Sequence, residues 1–472
     1  MHKKIIFTLL FFFICKGLFA QYQHSYISDS VLDSILKVEQ NVPNMINPQA
    51  LNYFFDKLDQ LENKKLDKVR IVQVGDSHIQ ADFLTNASKA IFQNKFGNAG
   101  LGFVFPYKLA KTNGPSTIAY KTNALFLSNR NVHPVTSAPV GIAGYSLSTL
   151  NKNSAIEVNI KNQQDYVSSI KIITPNNKHF FNLGFNNTNV IPFQNYTSKV
   201  LNHKVKAGET LYGIARKYNV TVAYIKNLNA LKTNSIAVGK VLKIGNYPDS
   251  KNELKNSNFE LIDLYDEGTS YAYNSSVLLN KFYLVPNHIN NELFINGLVL
   301  ENNNQGVTYS GIGVNGAKLS DYNKYDLFFD QMQALNPDLL IISFGTNESF
   351  DKLSAANFIS NLEIFISNVK KYSKNLSILV TTPPPSTLYK KYPNTYISEY
   401  SQAIVDFANK NKTITVFNLY EAFGGANGVK INKEKGYLAK DEVHYTKSGY
   451  NQQGVLLADS ILKSYQKYLL TK

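Results

Sequence analysis

Four short runs of the chain hold residue types that could act together on a carbonyl carbon. Gly75-Asp76-Ser77-His78 supplies a hydroxyl, and Asp441-Glu442-Val443-His444 supplies an imidazole three residues after a carboxylate. Gly311-Ile312-Gly313-Val314-Asn315-Gly316-Ala317 can bring a backbone N–H close to a bound group, and Gly345-Thr346-Asn347-Glu348 adds a side-chain amide. The chemistry such a set suits is acyl transfer. A base takes the serine proton and later delivers it to a leaving alcohol. A carboxylate on the other ring nitrogen fixes the tautomer, and convergent N–H donors hold the oxyanion of the tetrahedral intermediate. In those roles Ser77 is the nucleophile, His444 the base and Asp441 its partner. The Ser77 N–H, a Gly316 N–H and the Asn347 amide form the oxyanion hole, with Gly313 as the alternative to Gly316. His78 reads as a support or a substrate contact, and Asp82 and Glu348 as structural hydrogen bonders.

These runs need elements that present them on one edge. An apolar strand over 69–74 ends at the serine run, and a helical pattern over 79–96 follows. Helical periodicity also marks 28–40 and 48–63. From about residue 305 strands alternate with helices: strands over 307–311, 338–344, 376–382 and 413–418, helices near 317–335, 353–372, 398–411 and 447–469. That alternation predicts an α/β fold with a five-stranded parallel sheet and helices on both faces. Ligands of such sheets sit beyond the carboxyl ends of the strands, which is where the four runs fall. A helix after Ser77 would also set the hydroxyl near the positive end of its dipole. Between the two coding segments the pattern is β-rich, with Ile156, Val158 and Ile160 alternating with polar residues. Asn296-Gly297 between two apolar runs predicts a tight hairpin.

Taken singly, each run has an ordinary explanation. A lone Gly-Asp-Ser is usually a turn, and Asp-x-x-His pairs are mostly caps or surface residues. In this order and at successive strand ends, the set resembles the SGNH hydrolase (GDSL-like) superfamily, whose Ser, Gly, Asn and His blocks match Ser77, Gly316, Asn347 and Asp441/His444. The resemblance implies the flavodoxin-like sheet order of that superfamily. The third block departs from the superfamily's Asn-Asp in having Asn347-Glu348. Gly-Asp-Ser-His with Ala81-Asp82-Phe83, the run 313–321, Ser343 to Glu348 and Ala439 to His444 look like bacterial peptidoglycan O-acetylesterases, which carry a β-rich domain inserted after the serine block. That branch implies removal of O-acetyl groups from the C6 hydroxyl of N-acetylmuramic acid, with no metal or cofactor. The other histidines beyond residue 20 (His24, His133, His179, His203 and His288) lack metal-ligand spacing.

Residues 203–245 break the β-rich pattern. His203-Lys204-Val205-Lys206-Ala207-Gly208-Glu209-Thr210-Leu211 reads as a strand, a turn at Gly208 and a helix capped by Thr210. Leu211, Ile214, Ala215 and Tyr218 form the buried stripe of that helix, and Leu242-Lys243-Ile244 closes the unit as a strand. The segment resembles the LysM module, a βααβ unit that binds glycans containing N-acetylglucosamine. The resemblance implies a groove at Gly208, Glu209, Thr210 and Leu211 on one side and Asn229 and Leu231 on the other.

The chain has 472 residues, 44% hydrophobic and 18% charged, which excludes a disordered or fibrous chain. A lysine-headed apolar run over 5–14 with Gly17 and Ala20 behind it predicts a signal peptide over 1–20 and an exported protein. The single Cys15 lies inside it, which excludes a disulfide framework. No transmembrane segment is expected after signal removal. The net charge of +15 comes with no nucleic-acid module, so nucleic acid is not an expected partner. The expected organisation is a hydrolase domain over 21–105 and 305–472, a β-rich domain over 106–201 and 247–304, and LysM over 202–246. These readings converge on an exported peptidoglycan O-acetylesterase of the periplasm or cell envelope. An O-acetyltransferase, another carbohydrate acetylesterase and a non-catalytic wall-binding protein are the alternatives.

Overall fold

The structure, a computed structural model, describes residues 42–134, 139–186, 199–218, 220, 222–247, 258–287 and 292–472. The predicted signal peptide and the helical pattern over 28–40 lie outside the described residues. Five strands form the central sheet: β1 (Lys68–Gly75), β2 (Gly306–Gly313), β3 (Leu339–Ser343), β4 (Ser377–Thr381) and β5 (Thr415–Phe417). Their order is β2-β1-β3-β4-β5, and every neighbouring pair is parallel. The sheet is therefore assembled from two distant segments. β1 pairs with β2 from Lys68↔Gly306 to Gly75↔Gly313, and with β3 from Ile71↔Leu339 to Gly75↔Ser343. Gly75, Gly313 and Ser343 thus end level, and the loops that follow them open on one edge.

Both sheet faces are covered, which is why the strands read as continuous apolar runs. On one face Val72, Val74, Leu340, Ile342, Ile378 and Val380 share a core with Phe358, Leu362 and Phe365 of α3 (Ala355–Tyr372) and Tyr400 of α4 (Thr395–Lys410). The alternate residues Ile71, Leu339, Ile341 and Leu379 are buried too. Their face belongs to α1 (Asn52–Glu62), α2 (Phe83–Phe96) and α5 (Lys447–Thr471). An aromatic cluster of Phe54, Phe55, Phe92, Phe96 and Tyr465 knits those three helices together.

Three local expectations are corrected. The helix predicted over 79–96 is a single turn, Ser77–Gln80, then a break, then α2. Asp82 takes the left-handed conformation (φ 62°) and accepts the Thr85 hydroxyl at 2.6 Å, ending one helix and starting the next. The helix predicted over 317–335 is divided into Leu319–Tyr322, Asp326–Gln331 and a 3-10 turn, Met332–Ala334. Tertiary bonds fix its first turn instead: Tyr322 donates its hydroxyl to Gly75 O (3.1 Å) and the Leu319 N–H goes to Glu348 (2.9 Å). Finally, Asn296-Gly297 is no hairpin. Leu293–Ile295 pairs with Tyr145–Thr149, whereas Gly297–Glu301 pairs with Val167–Ile173 and Gly100–Val104 in another sheet. Asn296 is buried at the crossing, donating to Pro139 O and Tyr145 O and accepting from Gln331.

Between β1 and β2, two five-stranded antiparallel sheets contribute Ile156, Val158, Phe282 and Leu284 from one and Ile170, Ile172, Leu298 and Leu300 from the other to a common core. The segment resembling LysM is a βααβ unit with its own core. Lys199–Lys204 pairs antiparallel with Val241–Tyr247, and helices Leu211–Lys217 and Val222–Leu228 lie between them in sequence. Val205, Leu211, Ile214, Ile225, Leu242 and Ile244 fill the interior. Among the described residues no helix is long and apolar enough to cross a membrane.

Candidate active site

Ser77 opens the single helical turn that follows β1, and Gly75 makes that tight reversal possible. An added Cβ at Gly75 would lie 2.4 Å from Ile79 Cγ1 and 2.5 Å from Ser343 O. Asp76 caps the turn by accepting the His78 N–H at 2.9 Å. Because the helix breaks after four residues, the field of a full helix does not act on Ser77, contrary to the sequence expectation. A different partner does. Ser77 Oγ lies 2.9 Å from His444 Nε2, and His444 Nδ1 lies 2.7 Å from Asp441 Oδ2. The other Asp441 oxygen accepts the N–H groups of Val443 (3.0 Å) and His444 (2.9 Å), which turns the loop and holds the carboxylate beside the ring. Partial burial raises the Asp441 pKa, but these three donors outweigh it and hold the group down at about 2.

Behind His444 sits a second imidazole. His78 is buried, its ring centroid 5.3 Å from that of His444. Its Nδ1 is 3.0 Å from the Tyr450 hydroxyl and its Nε2 3.2 Å from Thr346 Oγ1. A neutral ring has one donor and one acceptor nitrogen, which two hydroxyls satisfy in either tautomer. Burial, and then the neighbouring His444, push the His78 pKa down to about 3, so the ring carries no charge at neutral pH. Burial and these two hydroxyl partners fit the supporting role for His78 among its two sequence readings. Two carboxyls behind the cleft are shifted the other way. Burial, with Glu348 adding to it, pushes Asp76 up to about 8, and burial pushes Glu348 up to about 7. Glu348 accepts N–H groups from Leu319 (2.9 Å) and Gly345 (3.1 Å), tying together the loops that carry Gly316 and Asn347.

Ser77, Asp441, His444, Gly316 and Asn347 all line one open cleft of about 620 Å³. Gly316 adopts φ 83° in its wall. Gly313 instead packs against the serine turn, where a Cβ would meet Gln80 N at 2.2 Å. Asn347 Nδ2 donates to Ala317 O (2.9 Å) and reaches Asp76 Oδ2 (3.3 Å), which orients the amide. Three further cleft residues, Asn113, Phe350 and Tyr450, escaped sequence reasoning, and Asn315 was named only as part of the glycine run. Gln80 anchors Asn315 and Asn113, accepting the Asn315 N–H at 2.6 Å and donating to Asn113 O at 2.9 Å. Tyr450 had a signal, since it lies six residues after His444 at the start of α5. Asn113 had none. Among the described residues no group of three or more His, Cys, Asp or Glu side chains could hold a metal ion.

The candidate glycan residues of the small unit have local duties. Leu211 and Leu231 are buried in its core, Thr210 caps the first helix through the Gly213 N–H (3.1 Å), and Glu209 accepts from the Lys206 N–H (2.8 Å) and contacts His203 (2.6 Å). Asn229 bridges to both the N–H and C=O of Lys243 (2.8 and 2.7 Å). Gly208 sits at φ 81° with open space around its Cα.

Comparison with known proteins agrees with this architecture. Residues 203–245 match the LysM domain, and residues 284–452 match the GDSL-like Lipase/Acylhydrolase family. The second match contains Gly316, Asn347, Asp441 and His444, while Ser77 joins them through β1. A solved peptidoglycan O-acetylesterase structure superposes with a TM-score of 0.59 at 18% identity, covering 88% of this chain and 96% of that one, a likeness of fold. The N-acetylmuramoyl-L-alanine amidase sle1 of Staphylococcus epidermidis is 23% identical over 163 residues, 34% of this chain and 48% of the amidase. The probable peptidoglycan endopeptidase LytE of Bacillus subtilis is 45% identical over 42 residues, 9% of this chain and 13% of LytE. The chain thus spans about half the length of the amidase and a smaller part of the endopeptidase. Over residues 284–452 the chain is thus similar to the GDSL-like lipase/acylhydrolase family, a family of carboxylic ester hydrolases, with a match to the LysM domain ahead of it at 203–245.

Proposed function

We propose that this protein is an exported peptidoglycan O-acetylesterase that removes the 6-O-acetyl group of N-acetylmuramic acid. The observation that carries the reading is the hydrogen-bonded chain Ser77–His444–Asp441, at 2.9 and 2.7 Å, in an open cleft beyond the carboxyl ends of a parallel sheet. His444 takes the Ser77 proton as Oγ attacks the acetyl carbonyl carbon, and Asp441 steadies the imidazolium. The Ser77 and Gly316 N–H groups and the Asn347 amide receive the oxyanion. Collapse breaks the ester C–O bond, and His444 returns the proton to the departing sugar hydroxyl. Water, deprotonated by the same ring, then attacks the acetyl-Ser77 and releases acetate.

The LysM domain supports a peptidoglycan target independently of the ester chemistry. Gly208, Glu209, Thr210, Leu211, Asn229 and Leu231 frame its glycan groove, and tethering raises the local concentration of substrate. The lysine-headed N-terminus and the wall-directed relatives support an envelope location. The partition into hydrolase (21–105 and 305–472), β-rich (106–201 and 247–304) and LysM (202–246) domains is part of the same reading.

The decisive experiment measures acetate release from O-acetylated peptidoglycan by residues 21–472 and by Ser77→Ala. Release by the first and none by the second is expected. Release that survives the substitution removes Ser77 as nucleophile. No release by either, with sacculi still bound, turns the assignment to an acetyltransferase or a wall-binding protein. Addition of an acetyl donor and a sugar acceptor separates those two.

A further inference from the structure

Beside the cleft an aromatic side chain is displayed where its own backbone resists it. Thr387–Leu388 and Tyr392–Pro393 form a small antiparallel ladder, with the Lys391 N–H closing a turn on Leu388 O at 3.1 Å. The two residues at its tip, Tyr389 (φ 55°) and Lys390 (φ 56°), are both left-handed. Turns of this kind ordinarily place Asn or Gly there, because a bulky residue is strained in that region. Strain of this sort persists where the surroundings over-determine it, and it gathers at functional sites. Here the surroundings are the catalytic machinery. The Thr387 N–H donates to Glu442 O at 2.9 Å, within the loop that carries Asp441 and His444. Asn394, just past the ladder, donates to Ser349 Oγ at 2.7 Å, in the helical turn that carries Asn347 and Phe350.

What the pinned turn displays is a ring. Tyr389 is 67% exposed, and its ring stands edge-on to Phe350 with centroids 6.3 Å apart. Phe350 itself lines the cleft with Ser77 and His444. Apolar surface therefore runs from the cleft wall out to Tyr389. Two lysines follow on the same turn, and Lys391 lies over the neighbouring Tyr392 ring at 5.1 Å. A flat aromatic face with a hydroxyl at its tip and ammonium groups beside it suits a ligand that is apolar on one face, hydroxylated at its rim and anionic nearby. A hexosamine ring of a carboxylate-bearing glycan strand has that character. A lipid tail lacks the polar rim.

We propose that the turn at Tyr389 is a glycan subsite, whose ring receives the apolar face of a second N-acetylhexosamine while the acetylated residue of the same strand occupies the cleft over Ser77. This rests on the esterase reading above. Its role is to hold an extended strand in register with the nucleophile, so it acts on chain length and not on the ester chemistry.

The test compares the full chain with Tyr389→Ala and Tyr389→Phe. Each is assayed on 4-nitrophenyl acetate and on soluble O-acetylated peptidoglycan oligosaccharides of one, two and four sugars. For Tyr389→Ala, the ratio of kcat/KM on the four-sugar substrate to that on 4-nitrophenyl acetate is expected to fall about tenfold, mostly through KM. The fall should shrink for the single sugar, and Tyr389→Phe should keep most of the wild-type ratio. An unchanged ratio in Tyr389→Ala, or a loss that ignores chain length, overturns the subsite alone. A wild type that cleaves 4-nitrophenyl acetate but releases acetate from none of the glycans overturns the esterase reading, and the subsite with it.

Discussion

A serine hydroxyl is a weak nucleophile near neutral pH, so the proposed reaction depends on what surrounds the Ser77–His444 bond. Asp441 is held down at about 2 and stays ionised across the working range. Asp441→Asn keeps the shape but removes the charge and the tautomer control, and kcat is expected to fall by about 10³–10⁴-fold with KM little changed. Steady-state kinetics on a small acetyl ester check this, and a loss below tenfold would mean that Asp441 only shapes the loop. The buried groups behind the site govern stability instead. Asp76, raised to about 8, is protonated in the folded protein and ionised in the unfolded one between about pH 4 and 8, so it costs stability as pH rises through that window. His78, lowered to about 3, works oppositely, because the unfolded chain binds its proton below about 6.5. The two slopes oppose each other in mild acid. Above pH 6.5 the His78 slope has ended while that of Asp76 continues, with Glu348 adding to it until near 7. Melting temperature is expected to drop from pH 6.5 to 8, by up to about 1.4 kcal/mol per pH unit in stability, and to drop less in Asp76→Asn. Equal slopes would mean that Asp76 is already ionised at pH 6.5. The placement of Ser77, Gly316 and Asn347 after strand ends, and of Asp441 and His444 just ahead of the last helix, was legible in the sequence, because sheet topology turns chain order into position. The partners of His78 were not, since Thr346 and Tyr450 reach it from elements remote in sequence.

Helices and strands were legible where periodicity was long and failed where tertiary contacts outweighed it. α3, α4 and α5 lie close to their predicted spans because their apolar stripes face a continuous core. The stretch over 79–96 carries the same kind of pattern, yet it breaks at Asp82, where a left-handed residue aims the serine turn at the cleft. Asn296-Gly297 failed similarly. The local turn signal is real, but Asn296 finds buried partners that carry the chain from one sheet to the next. The contact of α5 with α2 offers a test of packing against propensity. Gly454 lies mid-helix in α5, and an added Cβ would sit 2.2 Å from Leu84 O and 2.9 Å from Ala87 Cβ. Ser88 Oγ also donates to Gly454 O at 2.9 Å across the same contact. By propensity alone Gly→Ala in a helix gains about 1 kcal/mol. Here the helices would have to separate, and Gly454→Ala is expected to destabilise by about 1–3 kcal/mol. Chemical denaturation measures it, and a stabilised variant would show that the contact is loose.

At the scale of the molecule, the LysM unit and the proposed esterase site rest on separate hydrophobic cores. The LysM interior of Leu211, Ile214, Ile225, Leu242 and Ile244 is distinct from the core of the parallel sheet. Its outer strands are antiparallel, with Lys199 opposite Tyr247 and Leu201 opposite Gly245, so the chain enters and leaves the unit at adjacent points. Excising 202–246 therefore joins ends that lie diagonally across the ladder, roughly 7–8 Å apart, and removes a unit that fills its own core. The proposed esterase site should survive that excision, because none of its residues lies in the removed segment. Tethering changes only the local concentration of substrate, an effect that can reach 10²–10⁴-fold where substrate and tether share one polymer. The gain vanishes for a substrate that the tether cannot hold. The excised protein is thus expected to hydrolyse 4-nitrophenyl acetate at the wild-type rate, while acetate release from intact O-acetylated sacculi at low enzyme concentration falls by at least about tenfold. Raising enzyme concentration should close the gap, as mass action replaces the tether. Equal losses on both substrates would make the LysM unit part of the scaffold. No loss on sacculi would leave strand capture to the cleft and the Tyr389 turn alone.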